Sequence, residues 1–328
     1  MWRLVKPQRV GRVPEVPAAK KRAMACATPP ASLEARTTEA VATGPLGALS
    51  HDELGVIFDG LADPLQPDVG VALSSTCLGL RTPLQVALGV LRERYARAAA
   101  LCRKVGTSCK GLRVADAEYL TWRHKGLTAN DMVTLAMILQ TNGLPRLRRL
   151  DLMYDAFGDA GVQALCEGLS HGVAPSLREL NLNHNNFGSA GAEALASTLR
   201  REALPKLSVL DLNYNSLDDL AALAPPLRKL LTLKWLSLPW CHIGDTGVAS
   251  LFANLDKNEF AVLENLFLQG NKITDVGCAT LVAALEADRL PRLFLNDKYL
   301  DKLHFLEYNH ATASAIRAVQ DPLVRRSR

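Results

Sequence analysis

One short pattern recurs along most of this chain and limits what it can fold into. "LRRLDLMYDAFGDAGVQAL" begins at Leu147, "LRELNLNHNNFGSAGAEALASTL" at Leu177 and "LSVLDLNYNSL" at Leu207. "LKWLSLPWCHIGDTGVASL" follows from Leu233 and "LENLFLQGNKITDVGCATL" from Leu263. The second leucine of each unit falls at Leu150, Leu180, Leu210, Leu236 and Leu266, and a weaker unit, "YLTWRHKGLTANDMVTL", puts Leu120 in the same place. The intervals are 30, 30, 30, 26 and 30 residues. The short one contains "SLDDLAALAPPL", which lacks the G-x-x-G segment of its neighbours. A fixed period of this size is the mark of a solenoid.

The local chemistry of one unit sets its shape. In L-x-x-L-x-L the last two leucines alternate with other residues, which is strand spacing. An asparagine three residues further on donates and accepts, so it can bond the backbones of adjacent coils. The following segment carries apolar residues at helical spacing, and Leu-Pro then stops the helix, because proline cannot continue it. Each unit is expected to be strand, turn and helix. Strands stack about 4.8 Å apart and helices need about 10 Å, so the stack should curve with a parallel sheet inside and helices outside.

These units resemble the leucine-rich repeat family, in its long, ribonuclease-inhibitor-like type, over roughly residues 115 to 320. Asp155 and Cys241 stand where the pattern has asparagine; aspartate can still accept, and the family often uses cysteine. Lys125, at that position in the first unit, cannot accept, which marks the unit as a cap. The last unit, "YLDKLHFLEYNHATASAIRAV", slips by about one residue before Asn309, as terminal repeats often do. The implied organisation is a basic Ala/Pro-rich tail over 1–45, a helical module over 46–113, the repeats over 114–320 and a basic end over 321–328.

The tail reads as solvated and unfolded, or as a nuclear or organelle targeting signal in "KPQRVGRVPEVPAAKKR". Beyond it, "DELGVIFDGL" carries an apolar helical pattern at Leu54, Ile57, Phe58 and Leu61, with acids at its start that suit the positive end of a helix. With "LSSTCLGLR" further on, this resembles an F-box, although Ser50-His51 replace the usual Leu-Pro and the late aromatic is missing. The resemblance implies binding of the adaptor Skp1 and membership of a cullin ubiquitin ligase, with the repeats holding substrate. The alternative is a helical cap on the open end of the solenoid. Leu84, Leu88, Leu91, Tyr95, Ala98, Cys102 and Val105 form one stripe, so residues 84 to 105 should be a single helix packed on the first repeat.

No catalytic motif persuades. "GTSCKG" imitates a phosphate loop, but Leu112-Arg113 stand where lysine and serine or threonine are required. The histidines are scattered, and no metal or cofactor is expected. The net charge of +5 lies largely at the two ends and does not argue for nucleic acid. The seven cysteines include no C-x-x-C pair, and no apolar run approaches a membrane span, so a reduced cytosolic or nuclear protein is expected, acting as a monomer.

What the repeat offers is a surface. Residues alternating with the buried leucines should face the concave side: Trp235 in one column; Asp151, Asn181 and Asp211 in the next. At the strand exits stand His124, Tyr154, His184, Tyr214 and Trp240. Aromatics beside Asp and Asn suit a protein-binding surface, with Tyr154, Tyr214 and Trp240 as anchors and the acids favouring a basic partner. Alternatively the rings only shield strand ends. The readings in play are an F-box-like receptor, a regulator of small GTPases resembling the Ran GTPase-activating proteins (which often have an acidic tail, where this chain ends in "VRRSR"), and a plain scaffold.

Overall fold

A computed structural model describes residues 51–75, 84–114, 118–142, 144–170, 172–294 and 306–326. The basic tail, most of "LSSTCLGLR", the slip ahead of Asn309 and the last two residues lie outside the described residues.

The repeats form six parallel strands in sequence order: β1 (Tyr119–Thr121), β2 (Arg149–Asp151), β3 (Glu179–Asn181), β4 (Val209–Asp211), β5 (Trp235–Ser237) and β6 (Asn265–Phe267). Their register is the one the leucines imply. Leu120 pairs with Leu150, Leu150 with Leu180, and so on to Leu266. All six leucines are buried, as are Leu152, Leu182, Leu212, Leu238 and Leu268 two residues on. After each strand the chain turns into a helix that covers this core: α5 (Ala129–Asn142), α6 (Gly158–Gly168), α7 (Ser189–Arg200), α8 (Ala224–Arg228), α9 (Asp245–Phe252) and α10 (Asp275–Glu286), with α11 (Ala313–Arg326) after the last coil. The five-residue α8 belongs to the short unit, where Pro225 and Pro226 open the helix.

Buried amides tie the coils together. Asn215 Oδ1 accepts from the N–H groups of Asn185 (3.1 Å) and Phe187 (3.3 Å), while its Nδ2 donates to the carbonyls of Leu182 and Leu212. Asn185, Asn271 and Asn309 repeat the arrangement. At Cys241 the thiol donates to the Leu212 carbonyl (3.1 Å), and Leu217 N–H turns to the Cys241 carbonyl instead. Asp155 accepts from Lys125 and Leu127 N–H through Oδ1, but its Oδ2 has no partner.

Ahead of the sheet stand α1 (His51–Leu61), α2 (Asp68–Ser75), α3 (Gln85–Val105) and α4 (Cys109–Val114). The long α3 ends where Gly106 takes a left-handed φ of 84° and its N–H returns to the Arg103 carbonyl. Two cores meet along this helix. Leu84, Leu88 and Leu91 pack with Leu54, Phe58 and Ala62 in a small separate cluster. Ala98, Leu101, Cys102 and Val105 join the main core of the repeats, and Lys104 pairs with Asp131 of α5 at 2.6 Å. Tyr95, expected in the buried stripe, is exposed.

Candidate protein-docking face

The sheet face turned away from the helices carries three columns of side chains, set by the register. One is Tyr119, Arg149, Glu179, Val209, Trp235 and Asn265; the next is Thr121, Asp151, Asn181, Asp211, Ser237 and Phe267. Arg123, Met153, Asn183, Asn213, Pro239 and Gln269 follow at the strand exits, where the ladder continues through bonds such as Tyr154 N–H to the Asn183 carbonyl (3.0 Å).

Beside them runs a ladder of rings. His124 stacks on Tyr154 at 4.3 Å between centroids, Tyr154 on His184 at 4.2 Å and His184 on Tyr214 at 4.0 Å, all within 17° of parallel. Trp240 extends the row at 5.9 Å from Tyr214, and Tyr308 follows at 5.7 Å. All six residues have left-handed backbones, with φ from 52° at His124 to 64° at Tyr154. Such a conformation costs a non-glycine residue about 1–2 kcal/mol, and a stacked pair returns about 0.5–1.5 kcal/mol. The ladder therefore offsets part of the strain of the turns that build it. One rung carries no ring. Gly270 shares the left-handed conformation, and a Cβ there would lie 2.3 Å from Trp240 Cδ2, so the indole occupies the space of the missing side chain and reaches Tyr308.

The stacking decides what the ladder offers a partner. Ring faces are spent on one another, so the surface presents edges: phenol hydroxyls, imidazole nitrogens and the indole rim. Tyr154, Tyr214 and Trp240 are partly exposed (40%, 44% and 40%). His184 is half-buried, and burial, with His124 nearby, lowers its pKa. Trp235 is half-buried and packs on Phe267 at 4.6 Å.

The acids differ from expectation. Asp151 is not an open charge: it is fully buried, and its Oδ2 accepts from Arg123 Nε (2.7 Å) and Arg149 Nη2 (3.2 Å). Two guanidiniums therefore cover the carboxylate that was to attract a basic partner. Arg149 also reaches Glu179 at 3.3 Å. Asp211 and Asn181 remain half-buried on the face. The F-box-like set divides as well: Leu54 and Phe58 turn into the small helical core and cannot anchor an adaptor as they stand, whereas Ile57 (38%) and Leu61 (45%) are exposed.

Reading the sequence puts Arg149 and Arg123 in the columns of this face but misses their pairing with Asp151, and it misses Gly270 and Tyr308. Arg123 gave no local signal, since Asp151 lies on the neighbouring strand, whereas Arg149 stands two residues from Asp151 on β2 itself. Burial pushes the thiols of Cys102 and Cys241 up to about 12 and those of Cys166 and Cys278 up to about 11. Among the described residues, no group of three or more His, Cys, Asp or Glu is placed to hold a metal, and no helix is long and apolar enough to cross a membrane.

The fold defines the class: a solenoid of strand-turn-helix coils with one open sheet face. The family model described as Leucine Rich repeat matches residues 144–166, 173–196 and 229–252, the coils of β2, β3 and β5. The architecture is a leucine-rich-repeat solenoid preceded by helices. No curated protein matches the chain. Leucine-rich repeats support protein–protein interaction, and proteins built from them are generally non-enzymatic scaffolds.

Proposed function

We propose that the chain docks a protein partner on the open sheet face and joins it, through the N-terminal helices, to a Skp1-type adaptor, as an F-box-like substrate receptor of a cullin ubiquitin ligase in the cytoplasm or nucleus. The repeats are then of the long, ribonuclease-inhibitor-like type, and the chain acts as a monomer with no cofactor. The carrying observation is the division of the N-terminal helices. Leu54 and Phe58 give α1 a core of its own, separate from the repeats, while Val56, Ile57 and Leu61 stay exposed on a helix that a mere cap would have buried. The exposed, rigidly stacked rings support substrate docking, because aromatics bury much area at low entropic cost.

Affinity purification of the intact chain with mass spectrometry tests the reading. Recovery of Skp1 and a cullin is expected; recovery of a small GTPase would favour the Ran-GAP-like alternative, and neither would leave a plain scaffold. Within whatever complex forms, Tyr214→Ala and Trp240→Ala should each weaken docking by about 2 kcal/mol. Unchanged affinity in both would remove the sheet face as the docking surface.

A further inference from the structure

The inference concerns what the sheet face recognises, and rests on reading that face as a docking surface. Asp211 sits on β4, in the middle of the sheet. The other carboxylates of the face have counter-ions: Asp151 holds Arg123 and Arg149, and Glu179 holds Arg149. Among the described residues Asp211 forms no ion pair. Its Oδ1 accepts from Asn213 N–H at 3.2 Å, and it holds the side-chain amide of Asn183. That bond engages the nitrogen of Asn183 and leaves its oxygen, which has no donor although the residue is only 9% exposed. Ser237 donates its hydroxyl proton to Asn213 Oδ1 at 2.7 Å. The cluster thus carries one negative charge with no ion pair among the described residues and one buried acceptor, Asn183 Oδ1, with no donor.

We propose that Asp211, with Asn183 and Asn213, is the seat of one arginine side chain of the protein partner. Buried acceptors need donors, and a guanidinium brings five in a fixed fork with the compensating charge. The neighbouring rings do not supply the attraction, because Tyr154, His184 and Tyr214 spend their faces on one another. Burial pushes Asp211 up to about 6; the Asp151 charge adds to this, while Asn213 N–H, Asn183 and Arg123 oppose it. The other ionisable groups around it are Arg149 on β2, Glu179 on β3, His124, Tyr154, His184 and Tyr214 in the ladder, and the buried thiol of Cys241 after β5, which the Asp211 charge helps to push up; β5 itself presents none. An arriving guanidinium draws the carboxyl back to its charged form, so it competes with a proton below pH 6.

The test titrates the intact chain with N-acetyl-arginine amide and, as the uncharged isostere, N-acetyl-citrulline amide, following the Asp211 carboxyl carbon and the Asn183 amide by NMR. The arginine probe should shift both signals, with affinity about tenfold weaker at pH 5 than at pH 7, and citrulline should shift neither. Asp211→Asn should stay folded, since Asn181 makes the equivalent bond on β3 (Asn183 N–H to Oδ1, 3.0 Å), and should lose the response. Equal response to both probes, a response that persists in Asp211→Asn, or none at all overturns the proposal. A protein partner whose binding needs Tyr214 and Trp240 but ignores Asp211→Asn would reject the arginine seat and leave the docking face standing.

Discussion

A half-buried carboxylate without a counter-ion burdens the fold at neutral pH, and the sign can be worked out at Asp211. Its folded pKa of about 6 lies above the ordinary 3.8, so between these values the folded chain holds more protons than the unfolded one. Stability from this group is complete below about pH 4 and is lost as pH rises through 6. Asp211→Asn should therefore raise stability at pH 7 by about 1–2 kcal/mol and change it little at pH 4. Urea midpoints at the two pH values check this, and equal midpoints at pH 7 would mean the carboxylate is solvated. His184, with a lowered pKa, works in the opposite direction: its stability is present above its unfolded pKa and lost as acid protonates it. Comparing wild type with variant at each pH isolates Asp211 from it. Asp155 makes a related point. Neighbouring coils use both ends of an amide where Asp155 has an orphan Oδ2, so Asp155→Asn should add about 1 kcal/mol, read as a raised urea midpoint at pH 7. That Asp155 would accept was legible, because the acceptor role follows from the repeat position. That Asp151 would be covered was not, because Arg123 reaches it from the neighbouring coil, although Arg149 stands only two residues away on β2.

At the scale of elements, three coils help to start the helix of the next. Asp245, in the first turn of α9, accepts from Thr274 N–H (2.8 Å), Gly277 N–H (2.9 Å) and the Thr274 hydroxyl (2.6 Å) at the beginning of α10. Asp159 does the same for Gly188 and Gly191 at α7, and Asp275 for Thr312 before α11. A helix start has N–H groups with no internal partner and favours negative charge. Gly277 follows from this contact, as a Cβ there would meet Asp245 Oδ1 at 2.5 Å and Ile273 Cγ2 at 2.6 Å. The recurring G-x-x-G was visible in the sequence, but its purpose was not: the capped helix lies one period downstream, where propensity reasoning does not look. Asp245→Ala should lower stability by about 1–2 kcal/mol and speed hydrogen exchange at Thr274 and Gly277 before other amides. Exchange that rises uniformly instead would place the loss elsewhere.

For the whole molecule, the period, strand register and core were legible because one buried leucine column can satisfy only one register. The division of the N-terminal module was not, since α3 reads as one uninterrupted stripe while its two halves serve different cores. That division makes the adaptor and cap readings separable. Removing residues 46–82 takes away α1 and α2, and with them Leu54, Phe58 and the exposed Ile57 and Leu61, but keeps Ala98, Leu101, Cys102 and Val105 on the first repeat. The start of α3 should then fray, because Leu84, Leu88 and Leu91 lose their partners, and α-helical circular dichroism should fall. The main unfolding transition should move little, as Leu65 is the main-core residue lost. Skp1 association should disappear. Removing residues 46–113 uncovers the main core as well, and should lower the midpoint sharply or cause aggregation, since an open solenoid end exposes apolar surface. If the shorter deletion already destabilises the repeats as much as the longer one, α1 and α2 are part of the cap, and the exposed residues of α1 need a different explanation from adaptor binding.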